Sequence, residues 1–161
     1  MEEFKRPTWH EYFMQIAHLA KKRCNCIREP KVGAVLVKDN RIIATGYNGT
    51  PHGVKNCYEG GCKRCMDRHT NRIKSGEGKH LCICIHAEQN AILQAAYQGV
   101  STKGATLYTT VESCNTCAKM IINAGIVAVH CDETYTDHVG IQLLKDADIK
   151  VVKVKQTKKA K

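Results

Sequence analysis

The chain has 161 residues, a length typical of one compact domain, and 43% of them are hydrophobic. No apolar run reaches the ~18 residues of a membrane span, and the first nine residues lack the apolar block of a secretory signal. We therefore expect a soluble protein that is neither membrane-bound nor exported. The formal net charge is +10, and part of this excess lies in the lysine-rich stretch 153–161. Because no aromatic residues are interleaved with these lysines, we interpret residues 155–161 as a solvated basic tail and expect no nucleic-acid partner.

The predicted elements begin with a helix over 9–23, where Thr8 and Glu11 have capping-box spacing and apolar residues recur at helical intervals. Two β-branched runs, 32–37 and 41–47, indicate a hairpin. Residues 52–85, the Cys-rich insertion, are polar, contain several glycines and lack periodicity, which is typical of a loop. After this insertion the pattern predicts helices over 86–98, 115–124 and 139–146 and strands over 105–110, 126–131 and 149–154.

This order places a helix between each pair of the last three strands. Such crossovers imply parallel neighbours, whereas the opening hairpin is antiparallel. We predict an α/β fold, a three-layer α/β/α sandwich on a mixed five-stranded sheet with its last strands parallel. Residues 1–154 form a single domain in this interpretation.

One group of residues has the types and the spacing of a catalytic metal site: His86 and Glu88 are followed by Cys114 and Cys117. One imidazole and two thiolates are a three-ligand zinc set, and zinc is typically four-coordinate, so one position is left for water. Zinc lowers the pKa of that water and makes it a nucleophile. His86 and Glu88 converge only if His86 begins its helix with an extended backbone, because residues two apart in a helix do not share a face.

Glu88 is not needed as a ligand, and a carboxylate beside activated water is suited to carry protons. We predict that Glu88 is the catalytic residue and that the protein is a zinc-dependent hydrolase. The alternative from another class is a non-catalytic zinc-binding nucleic-acid module, in which His86 is a buried core residue and the Cys pair belongs to a zinc ribbon.

The chain contains ten cysteines, several of them in close pairs. Cysteines one or two residues apart rarely bond to each other but readily share a metal, so we predict metal ligation and a reducing, cytoplasmic location. Cys131, on a strand, is expected to be a small core residue. Seven others bracket the insertion and are candidate ligands of a structural zinc, and they are numerous enough for two metals: Cys24, Cys26, Cys57, Cys62, Cys65, Cys82 and Cys84.

The two motifs match the signature of zinc-dependent nucleobase deaminases. From about residue 8 to 154 the chain resembles the deoxycytidylate (dCMP) deaminases of that superfamily. The opening helix and the Cys-rich insertion favour the dCMP branch. The segments that carry the resemblance are 9–14 (WHEYFM), 31–35 (KVGAV), 46–51 (GYNGTP), 86–92 (HAEQNAI) and 117–126 (CAKMIINAGI).

The resemblance implies a cytidine deaminase-like fold and hydrolytic conversion of dCMP to dUMP with release of ammonia, which supplies dUMP for thymidylate synthesis. It implies that Asn48 binds the sugar and that the Ala87 backbone N–H binds the pyrimidine carbonyl. It places Tyr135 near the phosphate, with Arg28 as a second phosphate ligand. The alternative within the fold is a related zinc deaminase that acts on another cytosine nucleoside or nucleotide, or on adenosine in tRNA.

The resemblance also implies a hexamer, activation by dCTP and inhibition by dTTP, with the effector site expected at Gly46, Tyr47, Asn48 and Gly49. It implies a structural zinc on Cys26 (or Cys24), Cys57 and Cys84. The fourth ligand of that zinc is left open among Cys62, Cys65, Cys82 and His69.

The residue before the zinc cysteines departs from the family pattern, and its neighbour bears on the substrate. Ser113 replaces a proline, and we expect its hydroxyl to cap the following helix. Glu112 is acidic, so its orientation decides whether it repels a nucleotide or pairs with a basic residue. If it faces the pocket, a less charged substrate than dCMP is favoured.

Overall fold

The computed structural model describes residues 5–136 and 138–154, so the predicted basic tail 155–161 lies outside the described residues. Five strands form one sheet in the order β2-β1-β3-β4-β5. β1 pairs antiparallel with β2 and β3, whereas β3, β4 and β5 are parallel. The predicted mixed sheet with parallel last strands is confirmed. The strands are β1 (Gly33–Lys38), β2 (Arg41–Tyr47), β3 (Thr106–Val111), β4 (Ala128–Glu133) and β5 (Lys150–Lys153).

Helices cover both faces of this sheet and give the predicted three layers. The helices are α1 (Trp9–Lys21), α2 (Lys63–His69), α3 (Ala87–Tyr97), α4 (Asn115–Asn123) and α5 (Val139–Asp146). Among the helices that the structure describes, α1 packs by itself on one face of the sheet, and α3, α4 and α5 bury their apolar residues on the other. None of the helices in the described part of the chain is long and apolar enough to cross a membrane.

α1 begins where the sequence predicts. The Glu11 backbone N–H donates to Thr8 Oγ1 at 3.2 Å, and the Thr8 N–H donates to a Glu11 carboxylate oxygen at 2.8 Å, which completes the capping box. Phe13 and Met14 then lie fully buried against the sheet. Full burial of two such side chains contributes roughly 3–6 kcal/mol, which fixes α1 on its face of the sheet.

The Cys-rich insertion is more regular than the predicted loop. It contains α2 and two short 3₁₀ turns, Cys57–Glu59 and Lys79–Leu81. Cys62 precedes α2, and Cys65 lies in its first turn, fully buried with the other cysteines. α2 has no periodic apolar stripe, so its position depends on these thiols rather than on a hydrophobic face.

β2 and α3 approach unusually closely at Gly46. A Cβ atom at this position would lie 2.1 Å from the Ala87 carbonyl oxygen and 2.5 Å from the Ala91 nitrogen. Both atoms are backbone atoms of α3, so a side chain at residue 46 would push the helix outwards. Glycine here sets the position at which α3 begins.

Candidate active site and cysteine cluster

Two helices begin at the same place in the fold. His86 precedes α3 with an extended backbone (φ −76°, ψ 158°), and Cys114 precedes α4 in the same conformation (φ −72°, ψ 169°). The sequence predicted this conformation for His86. His86 Nδ1 lies 3.4 Å from Cys114 Sγ and 3.4 Å from Cys117 Sγ.

These separations suit zinc. Bonds of about 2.05 Å to nitrogen and 2.3 Å to sulfur at tetrahedral angles place the two atoms about 3.6 Å apart. The three ligand atoms lie within 4.8 Å of one another. The donor set and its spacing therefore fit a zinc ion.

The thiols have unequal proton affinities. A hydrogen bond with Cys117 lowers the pKa of Cys114 to about 4, and the adjacent His86 acts in the same direction. The hydrogen bond with Cys114 raises the pKa of His86. Cys114 also lies at the positive end of α4, which favours a thiolate. Cys114 is thus prepared as an anionic ligand before a metal binds.

Glu88 lies in the first turn of α3 and is 4% exposed. Burial raises the pKa of its carboxyl, because no solvent stabilises the charged form. Glu88 lines the same cavity as His86 and Cys114. A carboxyl that holds a proton more strongly than usual suits acid–base chemistry near neutral pH.

The cavity at these residues has a volume of about 100 Å³. It brings together all four residues for which the resemblance implied substrate contacts, which are Arg28, Asn48, Ala87 and Tyr135. A wider cleft shares Arg28 and Tyr135 and adds basic side chains from the insertion, among them Arg68, His69 and Lys79. The small cavity therefore adjoins a wider cleft in which basic side chains outnumber the carboxylates of Glu29 and Glu133.

Two of these residues have structural contacts of their own. Asn48 Oδ1 accepts the Val32 N–H at 2.7 Å, and its NH2 group donates to the Pro30 carbonyl oxygen at 3.5 Å, which leaves one N–H for a ligand. Arg28 Nε donates to Cys65 Sγ at 3.2 Å, so this guanidinium links the cavity to the cysteine cluster. Neither contact could be predicted from the sequence, because the partners are distant in the chain.

Glu112 lines the cavity but is paired. One carboxylate oxygen accepts the Tyr135 N–H at 2.9 Å, and the other lies 3.0 Å from Lys153 Nζ. Its side chain is 8% exposed. Lys153 therefore offsets the negative charge of Glu112, whose pairing with a basic residue was one of the two alternatives left open by the sequence.

The expectation that Ser113 caps α4 is wrong. Cys114 occupies the cap position, and α4 has no side-chain capping bond. Ser113 lies one residue earlier and is fully buried, and Gly140 of α5 packs against its carbonyl. The turn is held by this packing and not by a serine hydroxyl.

The loop after β2 lines a separate groove of about 630 Å³. Gly46, Tyr47 and Gly49 of the predicted effector site contribute to it, and Asn48 lines the catalytic cavity instead. Leu93 and Tyr97 of α3 form the opposite wall, and Tyr97 is 92% exposed.

The fold brings six of the seven predicted ligand cysteines into contact. They form two groups whose sulfur atoms lie within 4.8 Å of one another. Cys24 packs beside the cluster but belongs to neither group, and neither does His69. The groups are Cys26, Cys57, Cys65 and Cys84, and Cys62, Cys65, Cys82 and Cys84.

Known proteins share both the sequence and the architecture. The family model described as the cytidine and deoxycytidylate deaminase zinc-binding region matches residues 7–133. Deoxycytidylate deaminase of Saccharomyces cerevisiae is 42% identical over 94% of this chain and 46% of the yeast protein. ComE operon protein 2 of Bacillus subtilis is 40% identical over 93% of this chain and 73% of that protein.

The chain spans about half the length of the first curated relatives it matches. Among solved structures, dCMP deaminase from the cyanophage S-TIM5 in complex with dCMP and dUMP superposes with a TM-score of 0.74 at 32% identity. That match covers 94% of this chain and all of the phage protein. The family model spans both the His86 and the Cys114 motifs, so the resemblance noted in the sequence is confirmed. The chain belongs to the cytidine and deoxycytidylate deaminase zinc-binding family.

Proposed function

We propose that this protein hydrolyses dCMP to dUMP and releases ammonia. One observation carries the proposal: a buried carboxyl, Glu88, lines the same cavity as His86 and Cys114, two of the three residues that fit a zinc ion. The family and the dCMP and dUMP bound to a similar phage protein support the substrate.

His86, Cys114 and Cys117 would hold the zinc ion, which supplies the Lewis acidity that activates water towards the ring carbon bearing the amino group. Glu88 takes a proton from that water and delivers it to the ring nitrogen. It then carries the remaining proton of the added hydroxyl to the amino group, which leaves as ammonia while the carbonyl of dUMP forms. Its burial supports this role, because a carboxyl shielded from solvent exchanges protons with the substrate rather than with bulk water.

The backbone and one amide would orient the substrate. Ala87 is the first residue of α3, where the N–H has no partner within the helix and is available to the pyrimidine carbonyl. Asn48 accepts the Val32 N–H through its carbonyl oxygen, and its NH2 group, which donates to the Pro30 carbonyl at 3.5 Å, offers its second hydrogen to the sugar. Ala87 begins α3 and Asn48 directly follows β2, so both groups lie next to the Gly46 contact between these elements.

The phosphate would lie in the basic cleft. Tyr135 and Arg28 line both the small cavity and this cleft, so they stand where a nucleotide passes from one to the other. Arg68 and Lys79 add positive charge further out. The pairing of Glu112 with Lys153 supports an anionic substrate, because no unpaired carboxylate of Glu112 faces the phosphate.

We infer that the nucleotide effectors and a subunit contact both use the groove beside β2. We assign dCTP and dTTP to this groove, since its volume of about 630 Å³ is large enough for a nucleotide. The exposed Leu93 and Tyr97 on its rim support contact with another subunit of a hexamer. Analytical ultracentrifugation with and without each nucleotide tests both assignments.

A reducing, cytoplasmic location is supported by the cysteines. All ten are free thiols, seven of them in or beside one cluster. Such a cluster binds metal only while its thiols stay reduced. The same thiols support at least one structural zinc in addition to the catalytic one.

An ammonia-release assay on a substrate panel tests the activity. Zinc-loaded protein is given dCMP, CMP, deoxycytidine and tRNA in parallel. We expect turnover of dCMP to exceed that of deoxycytidine, because only the nucleotide reaches the basic cleft. Turnover of another compound with dCMP left intact would refute the substrate assignment.

A further inference from the structure

The two cysteine groups have two members in common, so two metal ions bound there would share ligands. Cys65 and Cys84 occur in both groups, and their sulfur atoms lie 3.8 Å apart. Cys26 and Cys57 complete one group, and their sulfurs are 4.0 Å apart. Cys62 and Cys82 complete the other, also at 4.0 Å.

The distances match tetrahedral zinc. A Zn–S bond of about 2.3 Å places two sulfurs of one tetrahedron about 3.8 Å apart. Besides the contacts above, Cys65 Sγ lies 3.8 Å from Cys26 Sγ and 3.5 Å from Cys82 Sγ. Each group thus has the dimensions of one four-thiolate site, and the two sites have a common edge.

We propose that the six cysteines hold a binuclear Zn₂Cys₆ centre in which Cys65 and Cys84 bridge the two ions. Two separate four-cysteine sites require eight thiols, and six suffice only if two are shared. Zn₂Cys₆ modules are known among nucleic-acid-binding proteins, so the stoichiometry is chemically sound. Here the centre sits inside a deaminase-family domain, beside its candidate active site.

The surroundings suit the charge of this centre. Six thiolates and two zinc ions carry a net charge of −2. The Arg28 guanidinium, which is itself partly buried, donates to the bridging Cys65 at 3.2 Å and approaches Cys82 at 3.9 Å. The Ile27 N–H donates to Cys57 at 3.4 Å. These donors delocalise negative charge from the sulfurs, which lowers the cost of burying them.

The local backbone is also that of a metal site. Cys62 precedes α2 and Cys65 lies one turn later, as Cys114 and Cys117 do at α4. Both pairs therefore present two sulfurs from one helix start.

Other fates of the thiols fit less well. The shortest sulfur–sulfur contact among the six is 3.5 Å, far beyond the ~2.05 Å of a disulfide. Iron–sulfur clusters distribute four cysteines over two or four irons, which separates the sulfurs further than these contacts allow. A mononuclear site would leave Cys62 and Cys82 as unligated thiols.

The centre would connect distant parts of the chain. Its ligands come from the segment after α1, the insertion with α2, and Cys84, which lies two residues before His86. Arg28 also lines the catalytic cavity. Loss of the zinc held by Cys62, Cys65, Cys82 and Cys84 is therefore expected to loosen α2 and the cavity wall.

Metal analysis tests the proposal without relying on activity. We expect three zinc ions per wild-type chain and two in Cys117→Ser, in which the candidate catalytic site is disabled. Substitution with ¹¹³Cd should give two thiolate-only NMR signals that are coupled to each other through the shared sulfurs. A single thiolate-only signal, or two signals without coupling, would overturn the binuclear centre. Because these readouts concern only the cluster, a failure of dCMP turnover leaves them unaffected.

Variants locate the second ion. Cys62→Ser/Cys82→Ser should lose one zinc and keep the other, because Cys26, Cys57, Cys65 and Cys84 still form a complete site. Cys24→Ser is the matched control, since Cys24 lies beside the cluster in neither group, and its zinc content should stay at three. If the double variant fails to fold, alkylation of the native wild-type protein decides. Protection of the partly exposed Cys82 supports the proposal, and its rapid labelling contradicts it.

Discussion

Replacing Gly46 by alanine tests how the fold positions the site. The new methyl group would lie 2.1 Å from the Ala87 carbonyl oxygen and 2.5 Å from the Ala91 nitrogen. An ordinary carbon–oxygen contact is about 3.3 Å or more, so α3 must retreat from β2 by roughly 1 Å. The clash involves backbone atoms on both sides and no side chain is available to turn away.

The magnitude follows from this geometry. Overpacking of a tight contact costs about 1–3 kcal/mol, and a backbone clash belongs at the upper end. For a chain of this size, 2–3 kcal/mol lowers Tm by roughly 4–12 °C. His86 and Glu88 flank Ala87 and move with it, and a misplacement of about 1 Å lowers kcat by roughly a hundredfold.

Thermal unfolding and the rate of ammonia release from dCMP measure the two effects. Gly104→Ala is the control, because that glycine has φ 79° but open space around its missing Cβ. Alanine there costs only the backbone strain, about 1 kcal/mol, and should leave kcat unchanged. A Gly46→Ala protein with wild-type Tm and wild-type kcat would show that β2 does not set the position of α3.

Two further predictions concern charge. Burial lowers the pKa of His130 to about 4, and His10 and Lys150 act in the same direction. In the unfolded chain this imidazole binds a proton below about pH 6.5. The free energy of unfolding should therefore decline as pH falls from about 6.5 towards 4. Urea titrations should show a smaller decline for His130→Leu. Equal declines in the two proteins would show that His130 is not the group responsible. Lys153→Met leaves the Glu112 carboxylate without its cation, so we expect KM for dCMP to rise several-fold with kcat little changed, and Glu112→Gln in the same chain should restore KM. No recovery in the double variant would show that Lys153 acts through another contact.

The sequence predicted the layers of the fold because its strands and large helices repeat apolar residues at a regular period. Strand and helix ends differ from the predicted ones by at most two residues; the first helix, for instance, ends at Lys21 rather than residue 23. α2 was missed for a physical reason. Cys65 and Met66 stand between charged residues on both sides, so no apolar stripe indicates a helix, and Cys65 is buried in the cysteine cluster.

Those parts of the site that depend on local backbone conformation could be predicted from the sequence. The spacing of His86 and Glu88 required an extended residue before a helix, and His86 has that conformation. Ser113 was misjudged because the capping rule does not say which residue begins the helix. The sharing of Cys65 and Cys84, and the link from Arg28 to Cys65, depend on long-range packing that no spacing rule encodes.

The central claim is that a buried carboxyl transfers protons beside a zinc ion. Its most direct test is Glu88→Gln, which keeps the shape of the side chain and removes its ability to accept a proton. The claim predicts a fall in kcat for dCMP of at least about 10²–10⁴-fold, with the zinc content equal to that of the wild type. Glu88→Gln protein that releases ammonia from dCMP at the wild-type rate would contradict it.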